Sequence, residues 1–238
     1  MPKKLTISAV IPQVYEAWAN ENPQALTELI GQHVKLFHKE RNRNSIIFQN
    51  FIDRLRARMT PSLVSPATLA VVQALPMELR QMAFGKAAYW GTVEDLKLWL
   101  GHIDTGAEDC CGVYAATLGE KPDNLRFLLP LVQSVENNHI SFCAAAAFGF
   151  EEGVRLLLPH VDPQYNESQA LANACENGHA KIAQLLIPLS DCENVRKNLC
   201  QENHPNALEF LEHQLSILQH ATLSNHVNVN LSTRVRKM

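Results

Sequence analysis

From residue 84 to about residue 215 the chain repeats itself. A repeat restricts architecture more than any local propensity, because one short unit cannot bury its apolar face alone and must stack on copies of itself. The units read Ala87-Ala-Tyr-Trp-Gly-Thr-Val-Glu-Asp-Leu-Lys-Leu-Trp-Leu, Ala115-Ala-Thr-Leu-Gly-Glu-Lys-Pro-Asp-Asn-Leu-Arg-Phe-Leu-Leu, Ala145-Ala-Ala-Phe-Gly-Phe-Glu-Glu-Gly-Val-Arg-Leu-Leu-Leu and Ala174-Cys-Glu-Asn-Gly-His-Ala-Lys-Ile-Ala-Gln-Leu-Leu-Ile. Their glycines Gly91, Gly119, Gly149 and Gly178 recur at nearly even intervals. A fifth unit has Asn203 where Gly would stand and Ala207-Leu-Glu-Phe-Leu behind it. Asn is the usual substitute for Gly at a left-handed position.

The unit reads as a helix, a turn and a second helix. A pair of small Ala residues lets the first helix approach its neighbour, with that helix opening at the pair; the Gly ends it, and the V/L-x-x-L-L-L run makes a second helix buried by stacking. Pro130, Pro159 and Pro188 stop the second helix. Asp104, Asp162 and Asp191 each lie thirteen residues beyond their Gly. His102 and His160 follow the second helices and are suited, as cations, to cap their last carbonyls.

Ahead of the repeats, the stretch from Pro23 to Gly31 predicts a helix with Pro in its first turn, and Ile46 to Met59 a second one with apolar Ile46, Ile47, Phe51, Ile52 and Leu55. Two prolines and two serines between Thr60 and Pro66 are turn chemistry, and a module boundary is expected near there. Charge supports two modules. Residues 1–60 hold nine Lys/Arg and five Asp/Glu, net +4, which leaves twelve against nineteen, net -7, for the rest. The expected organisation is a helical N-terminal region and cap over 1–83, about five repeats over 84–215, and a helix end with a polar, basic tail over 216–238.

The A-A-x-x-G-(x)4-V/L-x-x-L-L-L pattern resembles the ankyrin repeat, with Asn177-Gly178-His179, Ile182, Leu185 and Leu186 its closest match. The usual T-P-L-H opening is replaced by Ser141-Phe142-Cys143 and by Gln169-Ala170-Leu171-Ala172, and the period is about four residues short of the family's. The ending Leu156 to Asp162 is similar in style to ankyrin proteins of host-associated bacteria and large viruses. The resemblance implies an all-α, ankyrin-like helical repeat solenoid that works as a non-enzymatic protein-binding module, and its style implies an effector acting on a host protein in the host cytosol.

Where the family usually has a polar residue before the Gly, this chain has Trp90, Leu118 and Phe148 before reverting to Asn177. Stacked repeats would align these as an apolar column. With Tyr89 beside it and Tyr165, the one aromatic of the inter-unit turns, the column is the expected protein-binding stripe, because aromatics dominate interface hot spots. Covering of the column by other parts of the chain is the competing reading. Glu108, Asp109, Glu136, Asn137, Asn166, Glu193 and Asn194 make the turns acidic and amide-rich, which suits either a basic partner or solvated loops.

No catalytic residue, cofactor or metal is expected. Cys192, Cys200 and His204 are spaced loosely for zinc and lack a fourth ligand; Cys143 and Cys175 read as buried structural thiols; a Cys111–His102 pair is unconstrained by anything in the sequence; and no glycine-rich phosphate loop is present. Two other readings place function elsewhere. One is an enzyme or toxin with its chemistry in the N-terminal region. The other is a ubiquitin-ligase adaptor, because Leu75-Pro76-Met77-Glu78-Leu79 matches an F-box opening.

The formal charge of -3 excludes a global positive field for nucleic acid or an anionic membrane, and the basic set Lys35, His38, Lys39, Arg41, Arg43, Arg54, Arg56 and Arg58 reads as solvated helix faces. No apolar run reaches the length of a membrane span, Pro12 and Gln13 interrupt the only apolar stretch near the start, and six cysteines form no regular disulfide framework. A cytoplasmic setting and a protein partner are expected.

Overall fold

The computed structural model describes residues 6–41, 46–106, 111–132 and 134–235. Arg43, Glu108, Asp109 and Cys110 lie outside the described residues, as do the side chains of His38, Arg41 and residues 222–235. The described residues form α-helices and short 3-10 turns, with no strand among them. None of these helices is long and apolar enough to cross a membrane. Contacts divide the chain into two units, Met1–Asn137 and Asn138–Met238.

The first unit begins with α1 (Ile7–Ala19), α2 (Pro23–Arg41), α3 (Ile46–Arg58) and α4 (Pro66–Ala74). Apolar residues at helical spacing converge as a core of Trp18, Phe37, Phe48 and Phe51, all buried. The Trp18 indole N–H donates to the Thr68 hydroxyl at 3.1 Å, which satisfies a polar group that burial would otherwise strand. Arg54 and Arg58 lie over the rings of Tyr15 and Trp18 at 4.5 and 5.0 Å, so these two members of the basic set lie against aromatic faces. Ser65 caps α4, its hydroxyl accepting the Thr68 N–H at 3.2 Å ahead of Pro66.

The repeats follow as helix pairs. The first unit holds α5 (Met77–Trp90) with α6 (Val93–Trp99), and α7 (Gly112–Leu118) with α8 (Pro122–Leu128). The second holds α9 (Val135–Phe148) from Asn138 on with α10 (Glu151–Leu157), α11 (Tyr165–Glu176) with α12 (Ala180–Leu186), and α13 (Cys192–Gln201) with α14 (Pro205–Val235). The Ala pairs do not open the first helices. Ala87–Ala88 and Ala145–Ala146 stand near the ends of α5 and α9, because Leu79, Ala83 and Phe84, and likewise Ser141 and Phe142, are buried upstream and carry each helix back. In α11 the segment Asn166–Ser168 is wound left-handed, with φ of 49, 58 and 62°.

Backbone hydrogen bonds set the register of the turns. Lys121, Phe150, His179 and His204 donate to the carbonyls of Ala116, Ala145, Ala174 and Leu199 at 2.8–2.9 Å, each closing a first helix around one left-handed residue. Those residues are Glu120, Gly149, Gly178 and Asn203, with φ of 49, 80, 72 and 58°. Asn203 thus does what its place in the fifth unit predicts. In the second unit of the repeat the left-handed residue is Glu120 rather than Gly119, and the period over the first four units is constant: Ala87, Ala116, Ala145 and Ala174 are equivalent. The buried Trp99, Leu128, Leu157 and Leu186 keep the same interval.

Side chains in the first helices tie down the turn that follows each pair. Buried Gln81 donates to the Asp104 carbonyl at 3.1 Å, His139 accepts the Asp162 N–H at 3.0 Å, and Ser168 accepts the Asp191 N–H at 2.9 Å. Asp191 in turn accepts the N–H groups of Glu193 and Asn194 and starts α13. Two of the acidic and amide turn residues are therefore engaged by a helix cap.

Candidate functional site

A groove runs between α5 and α7 of the first unit. Helical spacing puts Met82, Gly85, Lys86, Tyr89 and Trp90 on one side of α5, and Cys111, Ala115 and Leu118 supply the other wall. Its volume is about 370 Å3. Two glycines allow the helices to meet this closely. A Cβ on Gly119 would run into the carbonyl oxygen of Tyr89, and one on Gly85 would lie 2.5 Å from the Cys111 sulfur.

The walls are apolar apart from Lys86, whose ammonium donates to Asp53 of α3 at 2.7 Å. Trp90 projects at the rim with 63% of its surface exposed, and its ring meets that of Tyr89 at 4.4 Å between centroids. Both residues sit in the last turn of α5, where Gly91 ends the helix and Thr92 and Asp95 form a reciprocal capping box for α6. The rim is therefore held by backbone geometry on both sides.

The column expected from Trp90, Leu118 and Phe148 is not one of equivalent positions. In the constant register of the Ala positions, Trp90 corresponds to Gly119, Phe148 and Asn177, and Leu118 stands one residue ahead. Leu118 still reaches Tyr89 and Trp90, because it lines the same groove. Phe148 and Tyr165 belong to the second unit, where they are 61% and 43% exposed. Tyr165 stacks on His139 with centroids 4.0 Å apart. Met82, Lys86, Cys111 and Ala115 were not anticipated as lining residues; Lys86 stands one helical turn before Trp90 and Met82 two, a spacing that could have shown them.

The other candidates find structural surroundings. Cys111, Cys143, Cys175, Cys192 and Cys200 are free thiols. Burial pushes the Cys143 thiol up to about 11 and the Cys175 thiol up to about 12, so both are held protonated, as structural thiols are. His102 is poorly suited to the capping role expected of it as a cation. Burial first, and Arg80 second, lower its pKa, which disfavours the cation that the helix-capping role requires; Arg80 itself donates to the His102 carbonyl at 3.3 Å. Cys192, Cys200 and His204 do not converge as metal ligands. Leu75 and Leu79 of the F-box-like segment are buried, with Pro76 at the start of α5.

The repeats can also be compared with known proteins. Residues 112–198 match the family model described as ankyrin repeats, in three copies. No match to the chain was found among curated proteins or among solved structures. Ankyrin repeats support a protein–protein interaction module; α7 of the aromatic groove lies within the matched residues, and α5 precedes them. Helix pairs on one constant register, closed by the same turn and matched to this family over residues 112–198, show that this part of the chain is built of ankyrin repeats.

Proposed function

We propose that the chain is a non-enzymatic protein-binding module that takes a partner in the groove between α5 and α7, with Tyr89, Trp90 and Leu118 as contact residues and with Phe148 and Tyr165 as contacts on the second unit. The observation that carries this reading is Trp90, 63% exposed at the rim of an apolar groove. A large aromatic left in water beside an apolar cleft is the usual composition of an interface anchor. The style of the Leu156–Asp162 ending supports a finer reading, an effector that meets its partner in a host cytosol.

Residues 1–83 serve in this proposal as the cap of the array. Contact of α3 with α5, the Lys86–Asp53 pair and full burial of Phe84 support it, since a repeat array needs a covered outer end to stay soluble. A truncated chain beginning at residue 80 is expected to aggregate or to melt at lower temperature.

The binding test compares proteins retained from eukaryotic and bacterial lysates by the full chain and by its Trp90→Ala and Leu118→Ala variants. A protein held by the first and lost from the variants supports the groove. Equal retention by all three removes it.

A further inference from the structure

We propose that Glu176, Glu202 and His204 form a binding site for a divalent transition-metal ion of the zinc type on the second unit. One oxygen of each carboxylate and an imidazole nitrogen all lie within 4.8 Å of one another, and His204 Nδ1 stands 3.1 Å from Glu176 Oε1. The three residues come from two turns. Glu176 ends α11, and Glu202 and His204 flank the left-handed Asn203 between α13 and α14. Together with Pro205, Asn206 and Ala207, residues Glu176 and His204 line a cleft of about 310 Å3, roomy enough for the waters that complete a coordination shell.

The preceding turn supplies a comparison within the same unit. Counted from the left-handed residue of each turn, Ala147, Asn177 and His179 occupy there the places held here by Glu176, Glu202 and His204. His179 faces a backbone carbonyl, that of Ala147, at 3.0 Å. In the fifth repeat the equivalent positions carry two carboxylates, and the His204 ring meets the Glu176 side chain through Nδ1 instead of a backbone carbonyl through Nε2, which leaves a three-donor set. Converging carboxylates also need positive charge. Where Glu193 and Glu212 meet in this unit, the Arg196 guanidinium sits between them. Among the described residues, Glu176 and Glu202 have no lysine or arginine partner, and their shared neighbour is the His204 ring.

Two carboxylate oxygens with one imidazole favour zinc, cobalt or nickel over calcium or magnesium, because imidazole suits borderline cations and the hard ions take oxygen throughout. A bound ion would join the end of α11 to the turn between α13 and α14, and so fasten the fifth repeat onto the fourth. Binding restricted to the folded state raises stability by mass action.

The test titrates the full chain with Zn2+ by calorimetry and with Co2+ by absorption, alongside Glu202→Gln, His204→Ala and a Cys192→Ser/Cys200→Ser double variant. The expected result is one saturable ion and a melting temperature raised by zinc. Both are weakened about tenfold or more in Glu202→Gln and His204→Ala and kept in the cysteine variant, with weak cobalt bands of oxygen and nitrogen ligation. The proposal is overturned by a lack of saturable uptake at millimolar zinc, by intense thiolate-to-cobalt absorption, or by unchanged affinity in Glu202→Gln and His204→Ala. Because both substitutions are at exposed positions outside the α5–α7 groove, partner capture through Trp90 is unaffected by either outcome.

Discussion

The imidazole Nε2 of His139 accepts the backbone N–H of Asp162 at 3.0 Å, joining the first helix of one repeat to the turn that opens the next. Ser168 and Asp191 reproduce the relationship in the following repeat. His139→Leu would leave the Asp162 N–H without its acceptor and is expected to cost about 1–3 kcal/mol, whereas His139→Gln keeps an acceptor oxygen and should cost less. Thermal or urea unfolding of the two variants checks this; equal loss in both would mean that the ring stack on Tyr165 matters and the hydrogen bond does not.

Glu120 is a non-glycine residue at φ 49°, in the place where the next two repeats have Gly149 and Gly178. A side chain in left-handed backbone costs about 1–2 kcal/mol, partly offset in glycine by chain entropy. Glu120→Gly should therefore stabilise the protein by about 0.5–1 kcal/mol. Gly178→Ala, in the same conformation, should destabilise it. Denaturant midpoints measured with unchanged slopes decide both.

Trp90 and Phe148 are exposed, so replacing either by alanine should change folding stability by no more than about 0.5 kcal/mol. Leu128→Ala and Leu157→Ala, at buried equivalent positions, should each cost about 2–5 kcal/mol. A large drop in melting temperature for Trp90→Ala would assign the indole to the core and end its role as a contact residue. Against a partner retained through the groove, Trp90→Ala is expected to lose more than about 1 kcal/mol of binding.

The thiols of Cys143 and Cys175, raised by burial to about 11 and about 12, should react slowly with iodoacetamide near neutral pH, while exposed Cys200 reacts fast. The same shifts affect stability in alkali. The unfolded chain loses these protons near pH 8.5 while the folded one keeps them, so the stabilisation is whole below about pH 8.5 and falls as pH rises through the folded values. Cys143→Ala/Cys175→Ala should flatten that decline. Mass spectrometry of labelled peptides and melting curves at several alkaline pH values provide the readings.

What the sequence determined by itself was the repeat and its kind. Small residues, a turn former and a Leu-rich second helix recur closely enough to show helix pairs, and Asn203 was recognisable as a left-handed turn residue because few side chains tolerate that backbone. The tertiary structure decided the register. Gly119 looks like the turn glycine of its repeat, yet Glu120 takes the left-handed place, because α8 must start where Leu125 and Leu128 reach the buried positions of Leu96 and Trp99. Burying those two side chains outweighs the strain at one residue, so Leu118 leaves the column that identical spacing in the sequence had suggested. Only packing could bring Glu176 beside His204, because residues this far apart along the chain meet through the stacking of two repeats, and no local pattern records that approach.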